Sequence, residues 1–153
     1  YIGDWSSDVC SSDLHRLEHL SAAPWVVQPL VESVRTRGET SVYVFDDVAV
    51  CQVDKHPADG EVRVHGAYGG RSEAVVLDPV RADRAMEAVR AAEDVLGHRL
   101  DYARVDLLWW EGQWCLSELE LIEPGLYLGV VPGNAEAFAD LVVRSLAQAR
   151  DRS

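Results

Sequence analysis

Apolar and polar positions alternate through residues 39–45 and again through residues 48–55, interrupted only by Asp46 and Asp47. That period of two predicts two strands joined as a hairpin. A second hairpin is expected from Tyr102-Ala103-Arg104-Val105-Asp106 and Ser117-Glu118-Leu119-Glu120-Leu121. Between the hairpins, Ala82, Met86, Val89, Ala92 and Leu96 recur at helical spacing, with Asp78 and Pro79 as the entry and Gly97 as the stop. After them, Asn134 is expected to cap a last helix whose buried stripe is Phe138, Leu141, Val142, Ser145 and Leu146. The early part is less regular. Residues 15–22 read as the tail of a helix stopped by Pro24, residues 25–30 as an apolar strand ending near Pro29, and residues 31–38 as a polar linker in which Arg35 and Arg37 meet solvent. Residues 57–60 read as a turn, 61–65 as a short extended piece, and Tyr68-Gly69-Gly70 as a loop. Strands gathered in hairpins, with helices between and after them, argue for an α+β fold: an antiparallel sheet covered on one side by helices.

The second hairpin carries acid on an otherwise apolar background. Glu118 and Glu120 share a face, about 7 Å apart along the strand. Whether Asp106 joins them depends on the turn. A two-residue loop of Glu111 and Gly112 would set Asp106 opposite Ser117 and turn Glu118 to the far side. A three-residue loop of Glu111, Gly112 and Gln113 would pair Trp110 with Trp114, Asp106 with Glu118 and Arg104 with Glu120. The second register also matches apolar partners across the strands, and it is the one expected here. Facing carboxylates repel unless something positive lies between them, and hard oxygen ligands suit Mg²⁺. A solvated acidic face with Arg104 bridging Glu120 answers the same pattern.

At 153 residues, 48% hydrophobic and 26% charged, the chain has the make-up of one soluble globular domain. The formal charge of −12 argues against nucleic acid and against an anionic membrane surface. No apolar run reaches the length of a membrane span. Residues 1–14 read as a non-native segment, because their central run is what a common sequencing-library adapter encodes in frame. They are left out of fold reasoning, and residues 15–153 are expected to be a partial domain of a longer protein. Setting aside Asp4, Asp8 and Asp13 removes three negative charges and brings −12 to −9. Cys10 goes with that segment. Cys51 and Cys115 lie in apolar strand patterns without metal or CxxC spacing, which predicts two buried thiols and a cytoplasmic protein.

Lys55 is the one lysine beside thirteen arginines. A compact ammonium at a strand end suits a phosphate, although a lone surface lysine fits equally. Arg63 precedes Tyr68-Gly69-Gly70, and glycines let backbone amides approach an anion that an arginine can grip. An ordinary loop remains the plainer reading. His19, His56, His65 and His98 have no partner at triad or metal spacing.

In their order along the chain, Val27-Gln28-Pro29-Leu30-Val31, Gly38-Glu39-Thr40-Ser41-Val42, Lys55-His56-Pro57, Arg63 before Tyr68-Gly69-Gly70, Ala103-Arg104-Val105-Asp106, and Glu118-Leu119-Glu120 with Pro124 resemble the C-terminal half of an ATP-grasp protein. The likeness is to the glutathione synthetase-like and D-alanine:D-alanine ligase-like members and covers residues 25–146. The resemblance implies ATP-dependent joining of a carboxylate to an amine or similar nucleophile through an acyl phosphate, with small-molecule substrates. It implies that Gln28 and the backbone of Val31 meet adenine and that Glu39 holds the ribose hydroxyls. Lys55 would touch phosphate, and Arg104 would stabilise charge on the transferring group. Asp106, Glu118 and Glu120 would hold one or two Mg²⁺ ions. Arg63, Tyr68, Gly69 and Gly70 are the expected substrate contacts. Two departures stand out. Glu120 occupies a position that is Asn in many such ligases, and the family's preceding glycine loop and second lysine have no counterpart in these 153 residues. The piece alone is therefore expected to be inactive, its parent being an enzyme, with a noncatalytic nucleotide-binding or partner-binding module as the alternative.

Overall fold

The computed structural model describes residues 29–151. The adapter-like segment, the helix tail expected at residues 15–22, Gln28 and most of the strand expected at residues 25–30 lie outside them. Pro29 and Leu30, which are described, are not strand.

Strands β1 (Glu39–Phe45), β2 (Val48–His56), β3 (Arg71–Val75), β4 (Tyr102–Trp110) and β5 (Gln113–Glu120) form one antiparallel sheet in the order β3-β2-β1-β4-β5. The first hairpin turns through Asp46 and Asp47, at φ 50° and 64°. A two-residue loop with both φ positive has the twist that antiparallel neighbours need, and Asp tolerates that region. Strand β3 was not foreseen; its Arg71–Val75 run pairs with β2 from Gln52↔Val75 to His56↔Arg71. The supposed linker at residues 31–38 contains a one-turn helix, α1 (Val34–Arg37), that buries Val34. Arg37 is not merely solvated, since its guanidinium stacks over Trp109 at 4.6 Å.

Helix α2 (Pro79–Leu96) begins where expected, with the Asp78 carboxylate accepting from the Arg81 amide. Its buried positions are Ala85 and Val89, with Met86 and Ala88 beside them, while Leu96 is exposed. Ala82 and Ala92 are half-buried as well, so the expected stripe holds apart from Leu96, with Ala85 added to it. It packs on Val42, Val44, Ala103, Val105 and Leu107, one face of the sheet. Helix α3 (Gly133–Asp151) takes the other face, where Leu141 and Phe138 meet Tyr43, Phe45 and Val53. Helices therefore cover both faces, not one, because the central strands are apolar on both sides. Only the first half of α3 is seated; Val142 and Leu146 are exposed. Asn134 is buried inside the first turn and ties Leu126 O and Cys51 Sγ, so it anchors the preceding loop and is not a cap. Cys51 and Cys115 are free and half-buried, where full burial was expected.

Gly38 sits at φ 74° before β1, and a Cβ there would lie 2.1 Å from the carbonyl oxygen of Lys55. Gly38→Ala is expected to cost roughly 2–3 kcal/mol, from a disfavoured backbone and a backbone clash together. An unchanged urea midpoint would show that the two strands are not this close.

Candidate metal and nucleotide site

The face under α3 changes character along its length. Near Phe45 and Tyr102 it is aromatic; near the start of β1 the same alternation puts Glu39 and Ser41 on it. Lys55 on β2, Arg104 and Asp106 on β4, and Glu118 and Glu120 on β5 complete a polar end.

The registers bring them together. Glu39 pairs with Lys55, Ser41 with Asp106, Asp106 with Glu118 and Arg104 with Glu120. The partners of Asp106 and Arg104 are those expected, but the expected turn is wrong, and with it the pairing of Trp110 with Trp114. Glu111 and Gly112 form a two-residue loop at φ 50° and 85°, so that Trp110 pairs with Gln113 and Trp109 with Trp114. A bulge then restores the acid register: Leu107 pairs with Leu116 and Asp106 with Glu118, leaving Ser117 as the extra residue. Bulges re-aim side chains in this way, commonly beside functional sites.

The result is a chain of alternating charges. Lys55 Nζ contacts Glu39 Oε1 and lies 3.3 Å from Asp106 Oδ2. Arg104 donates from Nε and Nη2 to Asp106, the latter at 2.8 Å, and from Nη2 to Glu120 Oε1. Ser41 Oγ donates to Asp106 Oδ1 at 2.6 Å. Asp106 is fully buried and Lys55 is 3% exposed. Burial pushes against the Asp106 anion, yet Lys55, Arg104 and the hydrogen bonds outweigh it and hold that carboxyl below its usual range. Arg104 and Lys55 are likewise raised against desolvation by the acids around them.

Glu118 is different. Its Oε2 is buried and makes no hydrogen bond. Burial first, then Asp106 and Glu120, push its carboxyl up to about 7. Glu39 is also raised, by burial above all, despite its contact with Lys55. Four carboxylates, at Glu39, Asp106, Glu118 and Glu120, face two cations, at Lys55 and Arg104. Fully ionised, the cluster carries two uncompensated negative charges. One ligand oxygen from each of Asp106, Glu118 and Glu120 lies within 4.8 Å of the others. A hard divalent cation fits that donor set, the charge deficit and the orphaned Glu118 oxygen together.

The other expected residues lie apart from these contacts. Val31 precedes α1, and its carbonyl accepts from the Val34 amide. Arg63 pairs with Glu61 and stacks over Tyr68 at 3.7 Å, all within its own loop. Gly66–Tyr68 is a short 3-10 turn closed by Gly69 at φ 80°. Gly70 packs so tightly that a Cβ would lie 2.0 Å from Val64 O. One site residue went unread in the sequence: Ser41, which donates to Asp106, shares the alternation of Glu39 and could have been found by it.

No protein-family model matches the chain, and no curated protein matches it significantly. Among solved structures it is similar to the D-cycloserine synthetase DcsG, at 32% identity and a TM-score of 0.67, over 78% of this chain and 41% of that one. It is also similar to D-alanine–D-alanine ligase from Bacillus anthracis complexed with ATP, at 21% identity and a TM-score of 0.49, over 74% and 41% of the two chains. The ATP-grasp ligase PsnB, complexed with precursor peptide PsnA2 and AMPPNP, shows 23% identity and a TM-score of 0.49 over 87% and 41%. The chain thus spans about two fifths of the length of these proteins. Among the described residues no helix is long and apolar enough to cross a membrane. The likeness to DcsG covers most of this chain, and the chain has the fold of an ATP-grasp fragment.

Proposed function

We propose that the complete protein is an ATP-dependent ligase that joins a carboxylate to an amine or related nucleophile through an acyl phosphate, and that this chain supplies the Mg-ATP end of its cleft. The observation that carries the reading is the acid-rich end of the sheet: four carboxyl groups against two cations, in a largely buried place, with one carboxyl oxygen left without a partner. In this reading Asp106, Glu118 and Glu120 hold one or two Mg²⁺ ions. Bound there, the metal would neutralise charge on the nucleotide phosphates.

The remaining residues supply position and charge. Arg104, fixed by Asp106 and Glu120, keeps its guanidinium beside the triad, where negative charge would develop on the transferring group. Lys55 places an ammonium next to the same acids. Glu39 serves the ribose hydroxyls, Gln28 and the Val31 backbone the adenine, and the Arg63, Tyr68, Gly69 and Gly70 loop the substrate.

An acyl-phosphate route has an isotopic signature. A carboxylate oxygen attacks the γ-phosphorus, ADP leaves, the nucleophile then attacks the carbonyl, and the phosphate released keeps that oxygen. Incubating the complete protein with ATP and ¹⁸O-carboxylate substrates is expected to yield ADP and singly labelled phosphate. ADP release with unlabelled phosphate would exclude the route.

A further inference from the structure

The face beneath α2 is apolar except at one place, opposite the charged end of the other face. There the Asp54 carboxylate accepts from Thr40 Oγ1 at 2.8 Å, Gln52 Nε2 at 2.8 Å and Arg81 Nη1 at 3.3 Å. Gln52 Oε1 in turn accepts from the Asp78 amide at the start of α2. Thr40 and Gln52 are fully buried. Arg81 also stacks over the Trp114 ring at 4.1 Å, so one side chain joins β2 to β5 across the sheet.

This cluster is one residue out of step with the site. Thr40 lies between Glu39 and Ser41, and Asp54 immediately precedes Lys55. The cross-strand pair Thr40↔Asp54 is the rung next to Glu39↔Lys55. Because side chains alternate faces, a slip at the first rung would carry Lys55 away from Asp106. The polar atoms of the buried Thr40 and Gln52 are costly unless their partners are in place, so the cluster favours that register, although Arg81 Nε is left without a partner.

We propose that Thr40, Asp54 and Arg81 form a positioning clamp on the α2 face that holds Lys55 and Glu39 in register with Asp106 on the opposite face. It deepens the ligase reading by naming what keeps the lysine in place, and its test needs neither metal nor nucleotide.

Lys55, as the single lysine, can be followed without ambiguity. In chain labelled with ¹³C-lysine, its one Cε–Hε cross-peak reports the surroundings of the ammonium, and an amine-acylating reagent read by mass spectrometry reports its exposure. In Asp54→Asn and Arg81→Met the cross-peak is expected to move toward the free-lysine position and acylation of Lys55 to quicken about tenfold or more, as local opening becomes easier. In Arg81→Lys, which retains a cation for Asp54 but adds a second lysine, acylation at Lys55, resolved from residue 81 by mass spectrometry, is expected to slow most of the way back to that of the parent. Val89→Ala, a core change on the same helix, serves as the control for lost stability. Should Arg81→Met fail to fold, Thr40→Val decides, since it removes one hydroxyl at similar shape. An unmoved cross-peak and unchanged acylation in the folded variants, or an equal response in Val89→Ala, would overturn the clamp.

Discussion

Asp106→Asn is expected to lower the stability of the chain by about 3–5 kcal/mol, the cost of leaving buried charge without its partner. Asp106 is the hub of the charged face: Arg104, Lys55 and Ser41 all donate to it, and it is fully out of water. An amide of the same shape would oppose two buried cations with one of its hydrogen atoms. A small domain has roughly 5–15 kcal/mol in total, so the variant will be fragile or unfolded at 37 °C. Urea unfolding at 25 °C checks this; a loss below about 1 kcal/mol would mean that the ion pairs are far better solvated than the geometry indicates. The fragility has a practical consequence. Lost binding in Asp106→Asn cannot separate a metal role from a folding role, and another carboxylate has to do so.

Glu118→Gln has the opposite sign. The Glu118 carboxyl, pushed up to about 7, binds its proton more tightly when folded than when unfolded. Its contribution to stability is therefore complete below the ordinary value of 4.5 and is lost as the pH rises toward 7. Above that, the native state carries a repelled, partly desolvated anion. In metal-free buffer at pH 8, Glu118→Gln is expected to be more stable than the parent by roughly 1–2 kcal/mol, a figure discounted because the residue is only half-buried. Glu39 acts in the same direction, so the variant should flatten the decline between pH 5 and 8 without abolishing it. The same substitution is expected to remove Mg²⁺-dependent stabilisation of the chain. A residue that weakens the fold yet is required for the ion is the signature of a site kept for function. Equal stability of both proteins across pH 5–8 would contradict the placement of Glu118.

The sequence made much of this arrangement legible, and the failures have local causes. Alternation revealed β1, β2 and β4, and Asp46-Asp47 marked their first turn, because a half-buried strand must repeat every two residues. Strand β3 escaped because Arg71–Val75 is a sheet edge with a mixed face, whose only apolar demand is its contact with β2. The pairing of Asp106 with Glu118 was anticipated through the wrong turn; a two-residue loop and a bulge sum to the same offset, and no pattern of side chains distinguishes the two solutions. The buried Ala85 of α2 escaped because a small side chain lying close to the sheet gives only a weak apolar signal. Nothing in the sequence marks Arg81 and Asp54, since their meaning lies in a contact made across the sheet.

Asp106, Glu118 and Glu120 are proposed to share a divalent cation. Soaking crystals of the chain in Mn²⁺ at pH 8 and collecting anomalous diffraction tests it most directly. A peak among the three carboxylates in the parent chain, absent in Glu118→Gln crystals grown the same way, is the expected result. Crystals of the parent with no peak there, and with Glu118 protonated or turned to solvent, would contradict it.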